Sequence, residues 1–265
     1  KKGGGVLGAI PLLGSLGIAI GYAVIVGWVV RYCWGAVSGS LFAVGSEEYF
    51  GQITGPFGSL LWHGVVVLVT VLVLARGVLQ GIEKVNRIIM PAFFVLFLVV
   101  AVYVGFLPGA AEGYRYLLIP QWEKLLDPMT WVMAMGQAFF SLSITGSGMI
   151  IYGSYLSKKE DIPRAAMQTA LLDTCAALLA GFAILPAVFA FGMDPASGPP
   201  LIFITLPKVF AQMPGGRFIA VLFFLSVIFA GITSLINMFE VCAEAVTTHL
   251  KLPRKAAVVL VGALA

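Results

Sequence analysis

The sequence predicts an all-α polytopic membrane protein, and three observations carry that prediction. Hydrophobic residues make up 60% of the 265 residues and charged residues only 11%, with a mean hydropathy of +1.01, against about 45–50% apolar and about 25% charged in soluble domains. The apolar residues come in long uncharged blocks, each near or above the roughly 20 residues that cross a bilayer about 30 Å thick as a helix. Basic residues gather in the connections between blocks. A water-soluble fold is excluded, and the length supplies several spans of one transmembrane domain rather than several domains.

Six complete spans are predicted at 7–35, 57–76, 88–107, 128–155, 165–193 and 217–247, with a seventh begun at 256–265. Lys1, Lys2, Arg76, Lys84, Arg87, Lys158, Lys159, Arg164, Lys251, Arg254 and Lys255 fall on one side. Arg115, Lys124, Lys208 and Arg217 fall on the other, with Arg31 inside a span. Lys/Arg excess marks the cytoplasmic side, so the N-terminus of this chain is expected in the cytoplasm. The same bias explains the net charge of +4; with no basic stripe interleaved with aromatics, nucleic-acid binding is not expected.

Cys33, Cys175 and Cys242 have no paired spacing and suggest neither a disulfide framework nor a metal site. The chain opens at Lys1-Lys2-Gly3-Gly4-Gly5 without an initiator methionine and stops at Ala265 within an apolar run, so it is expected to be incomplete at both ends. Its first apolar block is far longer than the roughly 7–15 residues of a signal-peptide core.

The second span carries a lone His63, which reads as structural. The fourth is too long and too polar at its centre for a plain anchor: Gly136-Gln137-Ala138-Phe139-Phe140-Ser141-Leu142-Ser143 leads into Thr145-Gly146-Ser147-Gly148. Glycine tolerates non-helical backbone and hydroxyls offer substitute hydrogen bonds, so the helix is expected to unwind there. Backbone freed at that depth must line a cavity or be buried in protein; close packing through small residues is the competing explanation. In the fifth span Asp173 follows Leu171-Leu172 in an apolar setting, and a bare carboxylate at mid-membrane costs at least about 2.5–3.5 kcal/mol. It is a functional candidate, with pairing to a structural partner as the alternative.

The connection 194–216 places Ile202, Phe203, Leu206, Val209 and Phe210 on one helical face, suggesting a short helix on the outer mouth or one lying on lipid. In the sixth span Ala230, Thr233, Ser234, Asn237 and Met238 recur at i, i+3, i+4, i+7 and i+8. Oxygens gathered in this way suit a hard cation such as sodium, although interhelical hydrogen bonding would use the same residues. Glu240 and Glu244, one turn apart near the end of that span, read as a gate or as a hydrated helix end.

At this point several motifs resemble one family. Gly136-Gln137-Ala138-Phe139-Phe140-Ser141-Leu142-Ser143 with Tyr152-Gly153-Ser154-Tyr155 resembles the sixth helix of neurotransmitter:sodium symporters, and Phe229-Ala230-Gly231-Ile232-Thr233-Ser234 resembles their eighth. Gly81-Ile82-Glu83-Lys84, Phe203-Ile204-Thr205-Leu206-Pro207 and Leu250-Lys251-Leu252-Pro253-Arg254-Lys255 match in order around them. The resemblance implies a leucine-transporter-like inverted-repeat helical bundle, of which the chain carries helices three to eight and the start of nine. It further implies that Ile18, Tyr22, Phe140, Ser141, Ser143, Gly146, Ser234 and Met238 line an amino-acid pocket, with Tyr22 donating to the substrate carboxylate. One sodium ion would be held by Ala230, Thr233 and Ser234, and another by Ser141 and Asp173 together with residues outside this chain. Thr145, Gly146 and Ser147 stand where the leucine-transporter branch has glycine, phenylalanine, glycine. Asp173 stands where many members have asparagine, and Ala177 where a chloride-ligating serine or substitute acid is found.

The function implied is sodium-coupled symport of an amino acid by alternating access, with sodium as the coupled ion, lipid as the solvent and no covalent catalysis. The expected location is the bacterial inner membrane, with homo-oligomerisation left open. A channel would need repeated polar rings lining a pore, whereas two polar stripes converge on one place. A transport-inactive, receptor-like homologue would keep the binding residues without accumulation. An intramembrane enzyme is disfavoured because no HExxH, no GxSxG and no His/Asp pair at catalytic spacing occurs.

Overall fold

The computed structural model describes residues 4–76, 79–144, 149, 153, 156 and 159–265, and every regular element among them is helical. The order is α1 (Gly4–Ser38), α2 (Ser40–Val44), α3 (Ser46–Thr54), α4 (Leu60–Arg76), α5 (Leu79–Gly105), α6 (Ala110–Leu118), a 3₁₀ turn (Trp122–Leu126) and α7 (Pro128–Ser141). Beyond it come α8 (Ile162–Ala190), a π turn (Leu201–Thr205), α9 (Leu206–Gln212), α10 (Gly216–Leu250) and α11 (Arg254–Leu264). Ile10–Ser38, Arg87–Gly105, Ile162–Ala190 and Gly216–Leu250 are long and apolar enough to cross a membrane. The apolar α4 has 17 residues.

Local chemistry sets the helix ends. Asp127 caps α7 by accepting from the Met129 amide at 2.9 Å, with Pro128 in the first turn. Asp161 caps α8 in the same way through the Arg164 amide at 3.2 Å. α10 ends where Lys251 enters the left-handed region at φ 54, and Pro253 prevents continuation before α11 begins. Arg254 then binds Glu240 through two parallel bonds of 2.8 Å, fastening α11 to α10, so Glu240 is a paired anion.

Two buried clusters organise the packing. One joins α1, α4, α10 and α11 through Ala19, Ala23, Val66, Leu235, Phe239 and Val258. Small residues let these backbones approach closely: a Cβ on Gly27 would lie 2.9 Å from the His63 amide nitrogen, and one on Gly231 2.8 Å from Val26 Cγ2. The other cluster gathers α1, α3, α5, α8, α9 and α10 around Tyr32, Phe203, Phe210, Phe223 and Phe224. His63 serves the first cluster, its Nε2 lying 2.9 Å from the Ala265 carbonyl across α4 and α11.

The segment 194–216 packs into the protein. Phe203, Leu206, Val209 and Phe210 are buried, whereas Ile202 is partly exposed. The wider π turn rotates Ile202 off the face that a regular helix would have given it. Phe203 enters an aromatic group formed by Trp28, Tyr32 and Phe50, with ring centroids 5.0–6.0 Å away. At the surface Lys208 Nζ meets Glu47 Oε1 at 2.6 Å, tying α9 to α3. Hydrogen bonding and attraction from that ammonium hold the Glu47 carboxyl below its ordinary range.

Candidate functional site

The polar stripe of α10 forms a compact oxygen group. Thr233 Oγ1 donates to the Ala230 carbonyl at 2.8 Å and lies 3.2 Å from the Phe229 carbonyl, while Ser234 Oγ donates to the Ala230 carbonyl at 3.2 Å. Both side chains are half-buried, and Asn237 on the next turn is exposed. Hydroxyls bonded back to carbonyls three and four residues earlier give the helix an alternative acceptor pattern. Their lone pairs, with the two carbonyls, make an uncharged set of hard oxygen donors. The Phe229 carbonyl, 3.2 Å from Thr233 Oγ1, is not singled out by the sequence pattern, whose i, i+3, i+4 spacing starts at Ala230.

A second oxygen group lies between α7 and α8. Ser141 Oγ donates to Asp173 Oδ1 at 2.5 Å, across 32 positions of sequence. This is the length of a hydroxyl bonded to a carboxylate. Ser141 ends α7, and the chain then leaves helical geometry: Leu142 and Ser143 form a turn with Ser143 at φ 56. Phe140, Ser141 and Ser143 are exposed, and Asp173 is half-buried. Gly146, with Thr145, Ser147 and Gly148, lies outside the described residues.

α1 contributes Ile18 and Tyr22, half-buried and one turn apart. Tyr22 and Met238 pack against the same cluster, which brings α1 and the α10 stripe side by side. The structure thus unites Ala230, Thr233 and Ser234, unites Ser141 with Asp173, and places Tyr22 and Met238 on one core. No hydrogen bond among the described residues joins the α7–α8 group to the α10 group.

The sodium:neurotransmitter symporter family model matches residues 48–265. The chain belongs to that family. It is 42% identical over 224 residues to the sodium-dependent transporter YhdH of Bacillus subtilis, covering 83% of this chain and 49% of that protein. A sodium-dependent transporter of Haemophilus influenzae is 34% identical over 263 residues, covering 96% of this chain and 57% of the relative. Among solved structures, MhsT in complex with L-phenylalanine superposes with a TM-score of 0.92 at 36% identity, covering 98% of this chain and 60% of MhsT. The chain spans about half the length of the curated relatives it matches. Its helical fold is of the leucine-transporter type, and with several membrane-length apolar helices the family member is a multi-pass integral membrane protein.

Proposed function

We propose that the protein containing this chain is a sodium-coupled symporter of an amino acid, working by alternating access with the N-terminus of this segment in the cytoplasm. The oxygen group of Ala230, Thr233 and Ser234 carries the reading, because neutral hydroxyl and carbonyl donors on a membrane helix suit an alkali cation. Ser141 and Asp173 contribute to a second sodium site. Ile18, Tyr22, Phe140, Ser141, Ser143, Gly146, Ser234 and Met238 line the substrate pocket, and glycine at 146 in place of a phenylalanine would favour a bulky apolar or aromatic amino acid. The L-phenylalanine bound to MhsT makes such a substrate the first to test.

Energetics are adequate for uphill transport. At about 2.3 kcal/mol per charge per 100 mV, two sodium ions entering with a neutral amino acid supply about 4.6 kcal/mol, roughly a two-thousandfold accumulation. One ion would give roughly fiftyfold. The test is uptake of L-phenylalanine, L-leucine and L-tryptophan by the full-length protein in liposomes under an inward sodium gradient. Accumulation that vanishes when potassium replaces sodium is the expected result; accumulation indifferent to sodium overturns the reading. Binding without accumulation would identify a receptor-like homologue instead.

A further inference from the structure

We propose that the junction between the end of α1 and the start of α10 is a binding site for one anionic phospholipid, held by Arg217. Two helices of membrane-spanning length meet there: Ile10–Ser38 ends and Gly216–Leu250 begins, so the junction lies at the end of two spanning segments, on the headgroup side of the hydrocarbon core. A groove of about 620 Å³ opens beside it, lined by Val37, Gly215, Gly216, Arg217, Phe218 and Val221. Its walls are apolar and Arg217 is its one charged member.

Arg217 is fixed before any ligand arrives. Its Nε donates to the Ala36 carbonyl at 2.9 Å, and its Nη2 donates to the Val37 carbonyl, so the cation caps the final turn of α1. The guanidinium lies over Gly39, where a Cβ would stand 3.3 Å from Arg217 Cζ, and Gly39 itself has φ +87. Among the described residues Arg217 has no carboxylate partner within ion-pair distance. Guanidinium has five N–H donors, and the two carbonyls engage only part of that fork. The side chain is exposed, so the remaining donors can reach a ligand.

A planar fork with unspent donors matches phosphate oxygens, and the apolar walls beside it match an acyl chain. Phe218 and Val37, exposed at 67% and 49%, present that apolar surface. Net charge selects the headgroup. A zwitterionic lipid brings its own ammonium to an unbalanced cation, whereas an anionic lipid brings only negative charge. Attraction of about 1 kcal/mol per basic residue near an anionic surface corresponds to about a fivefold preference.

The experiment uses the full-length protein in mixed nanodiscs containing phosphatidylglycerol or phosphatidylcholine with a photoactivatable diazirine in the acyl chain. Labelled peptides are mapped by mass spectrometry. Phosphatidylglycerol is expected to label the peptides carrying Val37 and Phe218–Val221 about fivefold more than phosphatidylcholine. Arg217→Gln should equalise the two lipids, and Val221→Trp, which fills the groove but keeps the guanidinium, should lower labelling by both. Equal labelling of the parent by the two lipids overturns the proposal, as does a preference that survives Arg217→Gln. If Arg217→Gln fails to fold, Val221→Trp decides, and unchanged labelling in that variant overturns the proposal.

Discussion

Thr233→Val separates an ion ligand from a packing residue. Among the described residues the hydroxyl is bonded to backbone carbonyls of its own helix alone, Ala230 at 2.8 Å and Phe229 at 3.2 Å. Those carbonyls keep their main-chain partners in α10, so removing the hydroxyl strands no buried polar group. The cost to the fold is therefore at most about 1 kcal/mol. A hydroxyl that faces a bound cation contributes far more, about 1.5–3 kcal/mol for a bond to a charge, or roughly 10- to 150-fold in sodium affinity.

Two assays read the difference in the full-length protein. The sodium concentration giving half-maximal uptake should rise at least about tenfold. Thermal stabilisation by sodium should shrink as well, because ligand at about 100 times its dissociation constant stabilises the native state by about 2.7 kcal/mol, and binding about tenfold weaker forfeits about half of that and about hundredfold weaker most of it. The melting temperature without sodium should hardly move. A half-maximal sodium concentration within twofold of the parent refutes the ligand role of Thr233. A large loss of stability without sodium refutes the packing argument instead.

Four further outcomes follow from other residues. Asp173→Asn should make sodium-driven uptake fail or become anion-dependent, whereas the parent should retain uptake when gluconate replaces chloride; collapse of parent uptake without chloride removes the basis for a fixed carboxylate at this site. Gly146→Phe should shift competition profiles towards smaller amino acids, and an unchanged profile counts against a pocket widened at that position. Gly231→Val should lower thermal stability by about 1–3 kcal/mol, because even a Cβ there would meet Val26 Cγ2 at 2.8 Å; a melting temperature equal to the parent's would show that α1 and α10 can separate freely. Glu47 is held below its ordinary range by Lys208, so the pair's contribution is present above the ordinary carboxylate value and is lost as pH falls through the lowered one. The difference in melting temperature between the parent and Lys208→Gln should therefore vanish with acidification, and a difference independent of pH would assign it to something other than this ion pair.

The helical membrane fold was legible because composition and block length depend on solvent alone, and a bilayer leaves few alternatives. The α10 group was legible for a related reason: Ala230, Thr233 and Ser234 lie within one turn and a bit of a single helix, so spacing alone brings their oxygens together. The meeting of Ser141 with Asp173 was different in kind. It spans 32 positions and two helices, and only the family resemblance suggested it. Nothing local announced the cap that Arg217 places on α1 from 181 positions away, since a cation near a helix end leaves no mark on that helix's own residues. The π turn at Leu201–Thr205 was hidden because a pattern read at 3.6 residues per turn assigns Ile202 to the wrong face.

The packing around these groups bears on how binding could be coupled to motion. Gly231 is the neighbour of Ala230, and its close approach to Val26 locks the α10 oxygen group against α1. α1 is locked in turn to α4 at Gly27, while α11 meets α4 where a Cβ on Gly262 would come 2.3 Å from Val71 Cγ2. α7, which ends at Ser141, is tied to the adjacent 3₁₀ turn by a 2.8 Å bond from Trp131 Nε1 to the Leu125 carbonyl. A ligand can shift a conformational equilibrium only through its differential affinity for the two states. An amino acid touching both Ser141 and Ser234 would have that differential, since it gains both sets of contacts only when α7 stands against the locked helices. One partner must be rigid for this to work: a ligand held between two loose elements would order both and lose its affinity to entropy. If the chain works as proposed, the glycine junctions at Gly231 and Gly27 supply the rigid side of that arrangement.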